Sequence, residues 1–451
     1  MERRTLDPEP VTTLDAYLRG GGGRGREAAA RLGPAAVVED MEASGLRGRG
    51  GAGFPTGRKW RTVLENASPD LPATVVVNAA EGEPGSFKDR LILRRNPYRV
   101  LEGALVAATT VGADRVVVAM KASFSRERER VGTAIDEVVA AGWADGVHVG
   151  IVEGPSEYLY GEETALLEVI DGRGPFPRLT PPFRRGVDEV SPQEPTRSAA
   201  PMQLAGPEDA TVAPPTLVNN VETMANVAGI LAEGPDWFRS LGSDASPGTI
   251  VCTVTGRTRR HGVGEFAMGT PLAEVIDVLG GGPLAGRRVI AVMSGVANAL
   301  VPGSLLDTPA SYEAMQEIGS GLGAAGFIVY DDTVDPAAVA HGVSRFLAVE
   351  SCGQCTPCKH DGLALADLLD RIRRSECDEH DVAAVEDRLA TVADEARCFL
   401  AHQHQQVVQS VLRLFPDAVR AHAAPGAPPS RMELVAPITD IEGDVATLDE
   451  R

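Results

Sequence analysis

The sequence predicts an α/β protein built on a parallel sheet, followed by a small α+β region and a helical C-terminal region. Three observations support this prediction. Short apolar runs alternate with helical patterns between residues 73 and 171, which favours a parallel sheet with helices on both faces. Short strands, glycine-rich turns and one helix are indicated at 248–333, and helical patterns dominate from 336 to 423.

The predicted elements follow one another closely along the chain. Two short helices are expected at 13–44, interrupted by the glycines at 20–25. The next part predicts strands at 73–79, 115–120 and 147–152, alternating with helices at 98–111, 126–141 and 162–170. Residues 184–215 are rich in Pro, Ser, Glu and Arg without periodicity, which indicates a long surface loop, and a helix is predicted at 218–233.

Composition excludes several classes of function. The chain has 451 residues and a net charge of −20, with 63 acidic and 43 basic side chains. Such a surplus of acid argues against binding to nucleic acid, which needs a basic surface. No apolar run approaches the roughly 18–20 residues of a membrane span, and the first thirty residues show no apolar signal region. We expect a cytoplasmic protein that reaches a membrane only through a partner.

The cysteines indicate a metal site. Half of the six cysteines form the pattern C-x2-C-x2-C, namely Cys352, Cys355 and Cys358. Bunched thiols in a reducing compartment are typical of metal ligands, and thiolates at this spacing can bind three corners of a [4Fe–4S] cluster. A fourth ligand is needed, and both Cys377 and Cys398 are candidates. Zinc, with His360 nearby, and chance clustering are the alternatives.

A glycine-rich loop is the second chemical signal. Gly48-Arg-Gly50-Gly51-Ala-Gly53 fits G-x-G-x-x-G, but the preceding residues 37–44 look helical, so the ordinary dinucleotide turn after a strand is not expected. Glycines still let backbone N–H groups approach a phosphate or a flat ring. Arg49, Arg58 and Lys59 add positive charge. A flexible solvated loop is the alternative.

Five segments, in order, carry a family resemblance. They are SGLRGRGGAGFPTGRKWR at 44–61, NAAEGEPGSFKDR at 78–90, YLYGEETAL at 158–166, PTLVNNVET at 215–223 and ESCGQCTPCK at 350–359. Together they resemble the NADH-binding flavoprotein subunit of respiratory complex I, a family shared with NAD-linked hydrogenases and formate dehydrogenases. The resemblance covers about residues 13–422.

The resemblance implies a domain order. A Rossmann-like domain that binds FMN and NADH would occupy 1–240, with 184–215 as an inserted surface loop. A small β-grasp-like domain of the soluble-ligand-binding type would follow at 247–333. A helical [4Fe–4S] domain would occupy 334–423, leaving a tail at 424–451.

It also implies roles for individual residues. The flavin and its phosphate would be bound by Gly48, Arg49, Gly50, Gly51, Gly53, Lys59, Asn78, Glu81, Tyr158, Gly161, Glu162, Glu163, Asn219, Asn220 and Thr223. The dinucleotide would meet Phe54, Glu83, Glu163 and Phe183, the last stacking on adenine. The cluster ligands would be Cys352, Cys355, Cys358 and Cys398, which leaves Cys377 as an ordinary thiol and Cys252 as a core residue.

The implied activity is that of an NADH dehydrogenase module, in which hydride passes from NADH to FMN and single electrons leave through the cluster. No side chain need act as a catalytic acid or base; Glu81 and Glu163 would orient the ligands. The implied partners are a thioredoxin-like [2Fe–2S] subunit and a larger iron–sulfur or molybdenum subunit. The alternatives are the diaphorase part of a formate dehydrogenase or hydrogenase, and a degenerate subunit that serves only as an electron wire or interaction platform.

Three departures from the family pattern bear on these roles. Ala80 stands where the family usually has Asp, and Thr180 where it usually has Lys. The segment at 398–401 reads Cys-Phe-Leu-Ala where the family usually has Cys-x-Leu-Gly. These changes affect the flavin contacts and the charge near the dinucleotide more than the fold.

Overall fold

The computed structural model describes residues 3–68, 72–187 and 214–449. Its N-terminal part contains the helices α1 (Leu14–Arg19), α2 (Arg24–Leu32), α3 (Pro34–Ser44), α4 (Thr56–Asn66), α5 (Lys88–Arg95), α6 (Pro97–Val111), α7 (Ser125–Ala140), α8 (Glu163–Ile170), α9 (Val221–Glu233) and α10 (Pro235–Arg239). The strands of this part are β1 (Ala73–Ala79), β2 (Ala113–Lys121), β3 (His148–Gly154) and β4 (Thr216–Asn220). Among the described residues, no helix is long and apolar enough to cross a membrane.

The described strands of this part form a parallel sheet in the order β3-β2-β1-β4. Side chains of the inner strand β1 alternate between the two faces of the sheet. Val75 and Val77 pack on the face covered by α6, whereas Val76 packs with Leu166 of α8 on the other face. Helices cover both faces, which confirms the predicted α/β class.

Two predictions for this part were wrong. Residues 14–44 form three helices and not two, because Gly33 takes a left-handed φ of 78° and Pro34 then begins a new helix. The helix predicted from residue 218 begins at Val221, because residues 216–220 pair with β1 as the strand β4. Of the predicted loop at 184–215, residues 188–213 lie outside the described residues.

A second sheet follows, built from β5 (Thr249–Gly256), β6 (Gly262–Ala267), β7 (Val289–Ser294), β8 (Val301–Pro302) and β9 (Gly326–Asp331). Within the described chain its order is β6-β5-β9-β7-β8, and helix α11 (Leu272–Gly280) packs against it. The sequence predicted one helix here. The structure adds α12 (Tyr312–Glu317), which at six residues is too short to show a helical period.

The C-terminal part is helical, as predicted. Its helices are α13 (Pro336–Glu350), α14 (Thr356–Arg373), α15 (Glu379–Thr391), α16 (Leu400–Leu414) and α17 (Pro416–Ala421). Helices α13, α14 and α16 share one apolar core, to which Leu347, Leu365 and Val407 belong.

The tail forms an antiparallel hairpin of β10 (Ile438–Glu442) and β11 (Val445–Leu448). This hairpin contacts earlier parts of the chain. Arg90 of α5 donates to the carbonyl of Thr439 (2.5 Å), and the backbone N–H of His261 donates to that of Asp444 (2.7 Å). The tail therefore contacts both the first sheet domain and the second. The domain boundaries proposed from the sequence stay a prediction.

Candidate functional site

A cavity of about 710 Å³ is lined by residues from all three parts of the chain. Its volume lies in the range of roughly 300–1,000 Å³ that is usual for ligand sites. Several residues implied by the family resemblance line it: Gly50, Gly51, Asn78, Glu81, Glu83, Tyr158, Gly161, Glu162 and Asn220. The structure thus brings together segments that are as much as 170 positions apart, from Gly50 to Asn220.

The strands of the first sheet explain much of this convergence. Asn78 is the last residue but one of β1 and is followed by Glu81 and Glu83, while Asn220 ends the neighbouring strand β4. Asn78 and Asn220 are register partners in the parallel pair. Carboxyl ends of parallel strands meet at one edge of the sheet, which is where ligands of open α/β sheets bind.

Hydrogen bonds fix these polar side chains. Asn78 Nδ2 donates to the carbonyl of Gly161 (2.8 Å), and Asn220 Oδ1 accepts from the backbone N–H of Glu222 at the start of α9 (3.0 Å). Glu81 accepts from the hydroxyl of Ser86 (2.6 Å) and from the backbone at the start of α5. Burial, and then the nearby negative charge of Asp89, raise the pKa of Glu81.

A buried charge network lies behind this edge. Lys88 Nζ lies 2.7 Å from Asp89 Oδ1 and 3.0 Å from Glu222 Oε2, and it donates to Asn220 Oδ1 (3.1 Å). Burial alone would lower the pKa of Lys88, but the surrounding carboxylates outweigh it and raise the pKa. A lysine held charged by its partners fixes the position of Asn220 at the cavity wall.

Glu83 joins the first sheet domain to the rest of the molecule. Its carboxylate accepts from the hydroxyl of Tyr158 and from the backbone N–H of Val296 in the second sheet domain (2.7 Å). Burial raises its pKa to about 7, although both hydrogen bonds act in the opposite direction. Burial also raises the pKa of Tyr158 well above its usual value.

Four cysteines surround a second, smaller cavity: Cys352, Cys355, Cys358 and Cys398. Cys377 lies between α14 and α15, outside the described residues that line this cavity. Burial raises the pKa of Cys398 to about 12, with nearby negative charges adding to the effect. Within the described residues no three His, Cys, Asp or Glu side chains converge on a single metal ion. The four cysteines face a common space, as the ligands of a multi-iron cluster do.

The two cavities share a wall. Leu159, Cys398 and Leu400 line both of them. Cys398 lies two residues before α16, whose Gln403 lines the larger cavity and donates to the hydroxyl of Tyr158 (3.2 Å). Of the nearby histidines, His404 is buried and bonds to Ser344, and His402 lies against the ring of Phe399.

The remaining residues implied by the resemblance are not among the described residues that line the cavity: Gly48, Arg49, Gly53, Phe54, Lys59, Glu163, Phe183, Asn219 and Thr223. Several of them are held in place by hydrogen bonds or an ion pair within the first sheet domain. Thr223 accepts from the backbone N–H of Arg49 (2.8 Å), and Asn219 accepts from Trp60 (2.9 Å). Lys59 lies 2.5 Å from Glu163 Oε1.

Sequence reasoning missed part of the cavity lining. It consists of Arg47, Ala297, Asn298, Tyr312, Gln316 and residues 320–324, with Gln403 and Gln406 from α16. The glycine-rich run at 319–326 was the only sequence signal for this part of the lining, and Arg47 lay inside the glycine-loop segment at 44–61. The other positions carry no pattern, since they belong to a separate sheet and helix.

Two family models match the chain. The Nuo51 FMN-binding domain matches residues 41–229, and the NADH-ubiquinone oxidoreductase-F iron-sulfur binding region matches residues 338–422. The second of two NADH-quinone oxidoreductase F subunits of Rhizobium meliloti (strain 1021) is 35% identical over 431 residues, covering 93% of this chain and 96% of the relative. The chain belongs to this family. The NADH-quinone oxidoreductase F subunit of Aquifex aeolicus (strain VF5) is 32% identical over 415 residues, with 90% of each chain covered.

A solved structure supports the same relationship. The NAD+-reducing [NiFe]-hydrogenase in the H2-reduced state matches with a TM-score of 0.78 and 30% identity over 93% of this chain. The match covers 66% of the hydrogenase chain, so this protein spans just under two thirds of its length.

These findings confirm the resemblance, the fold class and the cofactors. The protein is an oxidoreductase flavoprotein subunit with FMN, a [4Fe–4S] cluster and NAD(H) as cofactors. The iron–sulfur match decides against the zinc alternative, and the FMN-binding match includes the glycine-rich loop. The matched domains and relatives are those of an NADH dehydrogenase module that takes part in electron transport.

Proposed function

We propose that this subunit oxidises NADH in the 710 Å³ cavity and delivers electrons, one at a time, across the shared wall to a cluster on Cys352, Cys355, Cys358 and Cys398. The shared wall is the observation that carries the proposal. When bound, FMN accepts a hydride from NADH and releases its two electrons singly, which a [4Fe–4S] cluster requires.

The cavity residues fit a flavin. Gly51 lines the cavity with a φ of +126°, and a Cβ there would come no closer than 3.9 Å to another atom, the carbonyl carbon of Gly323. Its backbone is therefore accessible to a phosphate or ribityl group. We assign the flavin contacts at the sheet edge to Asn78, Glu81 and Asn220, whose orientations are fixed by hydrogen bonds.

Residues that do not line the 710 Å³ cavity would influence flavin binding through the residues they contact. Lys59 is paired with Glu163 and donates to the carbonyl of Val218 in β4 (2.9 Å), so it braces the strand that carries Asn219 and Asn220. These residues would therefore affect flavin binding indirectly, by holding this strand in place.

The residues at 158–163 would line the flavin from a second side. Tyr158 and Gly161 lie on a 3-10 turn, and Glu162 caps α8 by accepting from the backbone N–H groups of Thr164 and Ala165. Glu83 and Glu163 would contact the dinucleotide. Phe54, which is 47% exposed, and Phe183 stay as proposed stacking partners of NADH.

The larger assembly is also a proposal. We infer a thioredoxin-like [2Fe–2S] partner and a larger iron–sulfur or molybdenum partner, with membrane association through that complex. Coverage supports a NADH-quinone oxidoreductase setting, since the chain covers 96% of the R. meliloti relative but 66% of the hydrogenase chain. The TM-score of 0.78 keeps a hydrogenase-type diaphorase as the second candidate.

Anaerobic reconstitution with FMN and iron tests the proposal. NADH should bleach the flavin absorbance and then produce the EPR signal of a reduced cluster, with NADH–ferricyanide turnover. Flavin that bleaches without any cluster reduction would contradict transfer across the shared wall. Absence of turnover in protein loaded with both cofactors would instead support the degenerate alternative.

A further inference from the structure

A tyrosine from the second sheet domain binds the glycine-rich loop through a hydrogen bond and through packing of its ring. The hydroxyl of Tyr312 donates a hydrogen bond to the carbonyl of Gly48 (2.8 Å). Its ring covers Gly53, where an added methyl group would lie 2.6 Å from a ring carbon. Gly53 has a φ of +62°, so both its conformation and its space require glycine.

Arg47 completes this contact. Its guanidinium lies 4.1 Å from the centre of the Tyr312 ring, and its Nε donates to the carbonyl of Gly53 (2.8 Å). Both side chains line the flavin-sized cavity beside Gly50 and Gly51. The two ends of the glycine run are therefore tied to one ring.

The ring itself is held firmly by its own domain. Tyr312 is 8% exposed and packs in the core that includes Phe266 and Met315. Ser311 caps its helix by accepting from the backbone N–H of Ala314 (3.2 Å). The neighbouring Glu313 accepts from two serine hydroxyls of the preceding segment, at 2.7 and 2.5 Å.

We propose that Tyr312 is a positioning residue for flavin binding, which holds the Gly48–Gly53 loop in its binding conformation before the flavin arrives. A run of glycines has more conformational freedom to lose than any other sequence, so ordering it in advance strengthens binding. The inference rests on the proposed flavin site. It gives the second sheet domain, for which the sequence predicted no contact with the flavin, a role in retaining the cofactor.

The test compares two tyrosine-to-phenylalanine variants of the reconstituted holoprotein. Tyr312→Phe removes only the hydroxyl that holds Gly48. Tyr330→Phe is the matched control, because Tyr330 lies in β9 of the same domain and its buried hydroxyl has no hydrogen-bond partner among the described residues. FMN release after dilution is followed by the rise in flavin fluorescence, alongside iron content and thermal unfolding.

We expect Tyr312→Phe to release FMN about two- to tenfold faster, the usual effect of one lost neutral hydrogen bond. Tyr330→Phe should match the wild type, and iron content should be equal in all three proteins. Tyr312→Leu, which also removes the ring from Gly53, should release FMN faster still. Unchanged FMN release in Tyr312→Phe, or equal acceleration in both phenylalanine variants, would overturn the positioning role of Tyr312 alone. A wild-type protein that retains no FMN after reconstitution would overturn both the proposed flavin site and the positioning role.

Discussion

The hydroxyl of Tyr158 donates a hydrogen bond to the carboxylate of Glu83 in the 710 Å³ cavity, which α16 also lines. Val296 of the second sheet domain donates to the same carboxylate, and Gln403 of α16 lies beside the same hydroxyl. One partly buried carboxylate thus joins the two sheet domains directly and reaches the helical part through Tyr158.

Glu83→Gln should change how stability depends on pH. Burial raises the pKa of Glu83 from 4.5 to about 7, so its stabilising contribution is full below pH 4.5 and is lost as the pH rises to 7. The wild type should therefore lose stability relative to Glu83→Gln between pH 5 and 7, by at most about 3 kcal/mol, with no further change above. Melting temperatures at a series of pH values measure this, with exposed Glu65→Gln as the control. Parallel pH profiles for wild type and Glu83→Gln would contradict the prediction.

Serine at Cys352, Cys355, Cys358 or Cys398 should abolish the cluster, whereas Cys377→Ser should retain it. The first four line one cavity, and Cys377 lies in a separate turn between α14 and α15. Iron content and low-temperature EPR decide the matter. Retention of the cluster in Cys398→Ser, with its loss in Cys377→Ser, would show that the other cysteine is the ligand.

Asn220→Ala should yield protein with an intact cluster but little flavin. The side chain lines the cavity, accepts from Lys88 and donates to Asp89 (2.6 Å). Loss of the proposed charge-assisted hydrogen bond from Asn220 to FMN would cost about 1.5–3 kcal/mol, or about a 10- to 100-fold weaker FMN affinity. The exposed Asn66→Ala serves as the control, and flavin-to-iron ratios give the result. A normal ratio in Asn220→Ala would remove Asn220 from the flavin site.

NADH should be preferred to NADPH by at least about tenfold in kcat/KM with ferricyanide, because the carboxylates of Glu83 and Glu163, at their proposed places beside the dinucleotide, would oppose a 2′-phosphate. Two arginines near Thr180 are already engaged: Arg173 lies 2.6 Å from Asp171, and Arg178 lies 3.0 Å from Glu168.

Thr180→Lys should therefore reduce this preference by adding a cation for the 2′-phosphate. Thr133→Lys, exposed on α7, controls for net charge. Equal kcat/KM values for NADH and NADPH in the wild type would mean that an arginine of this segment accepts the phosphate.

Asp440→Asn should lower the melting temperature by a few degrees at most. Asp440 lies 2.7 Å from Arg94 and 3.2 Å from Arg126, which fastens the tail hairpin to the first sheet domain. A partly buried ion pair of this kind contributes about 1 kcal/mol. Asp444→Asn, exposed at the turn of the same hairpin, should leave the melting temperature unchanged. Equal melting temperatures for Asp440→Asn and wild type would show that the tail is held by its backbone contacts alone.

The sequence was most informative where the signal is local. The run at 73–79 predicted β1 to the residue, because consecutive buried β-branched side chains favour a strand at any position. The sequence-based prediction failed at residues 216–220, where a similar strand-like composition adjoins a helix. Only pairing with β1 separates this strand from the helix that follows it. The glycine loop was recognisable from its composition, but its partner Tyr312 was not, since nothing near Tyr312 in sequence marks it.

The sequence by itself determined the alternation of strands and helices, the cysteine spacing and the five family segments, all of which depend on neighbours within one turn or strand. Cysteine spacing left Cys377 and Cys398 as alternatives and the family resemblance favoured Cys398; the tertiary structure places Cys398 beside the other three cysteines. Only the tertiary structure showed that Ala297, Asn298, Tyr312, Gln316 and residues 320–324 line the larger cavity. Both depend on contacts between distant segments. Such contacts are set by how separate apolar faces pack together, and the spacing of residues along the chain does not encode that packing directly.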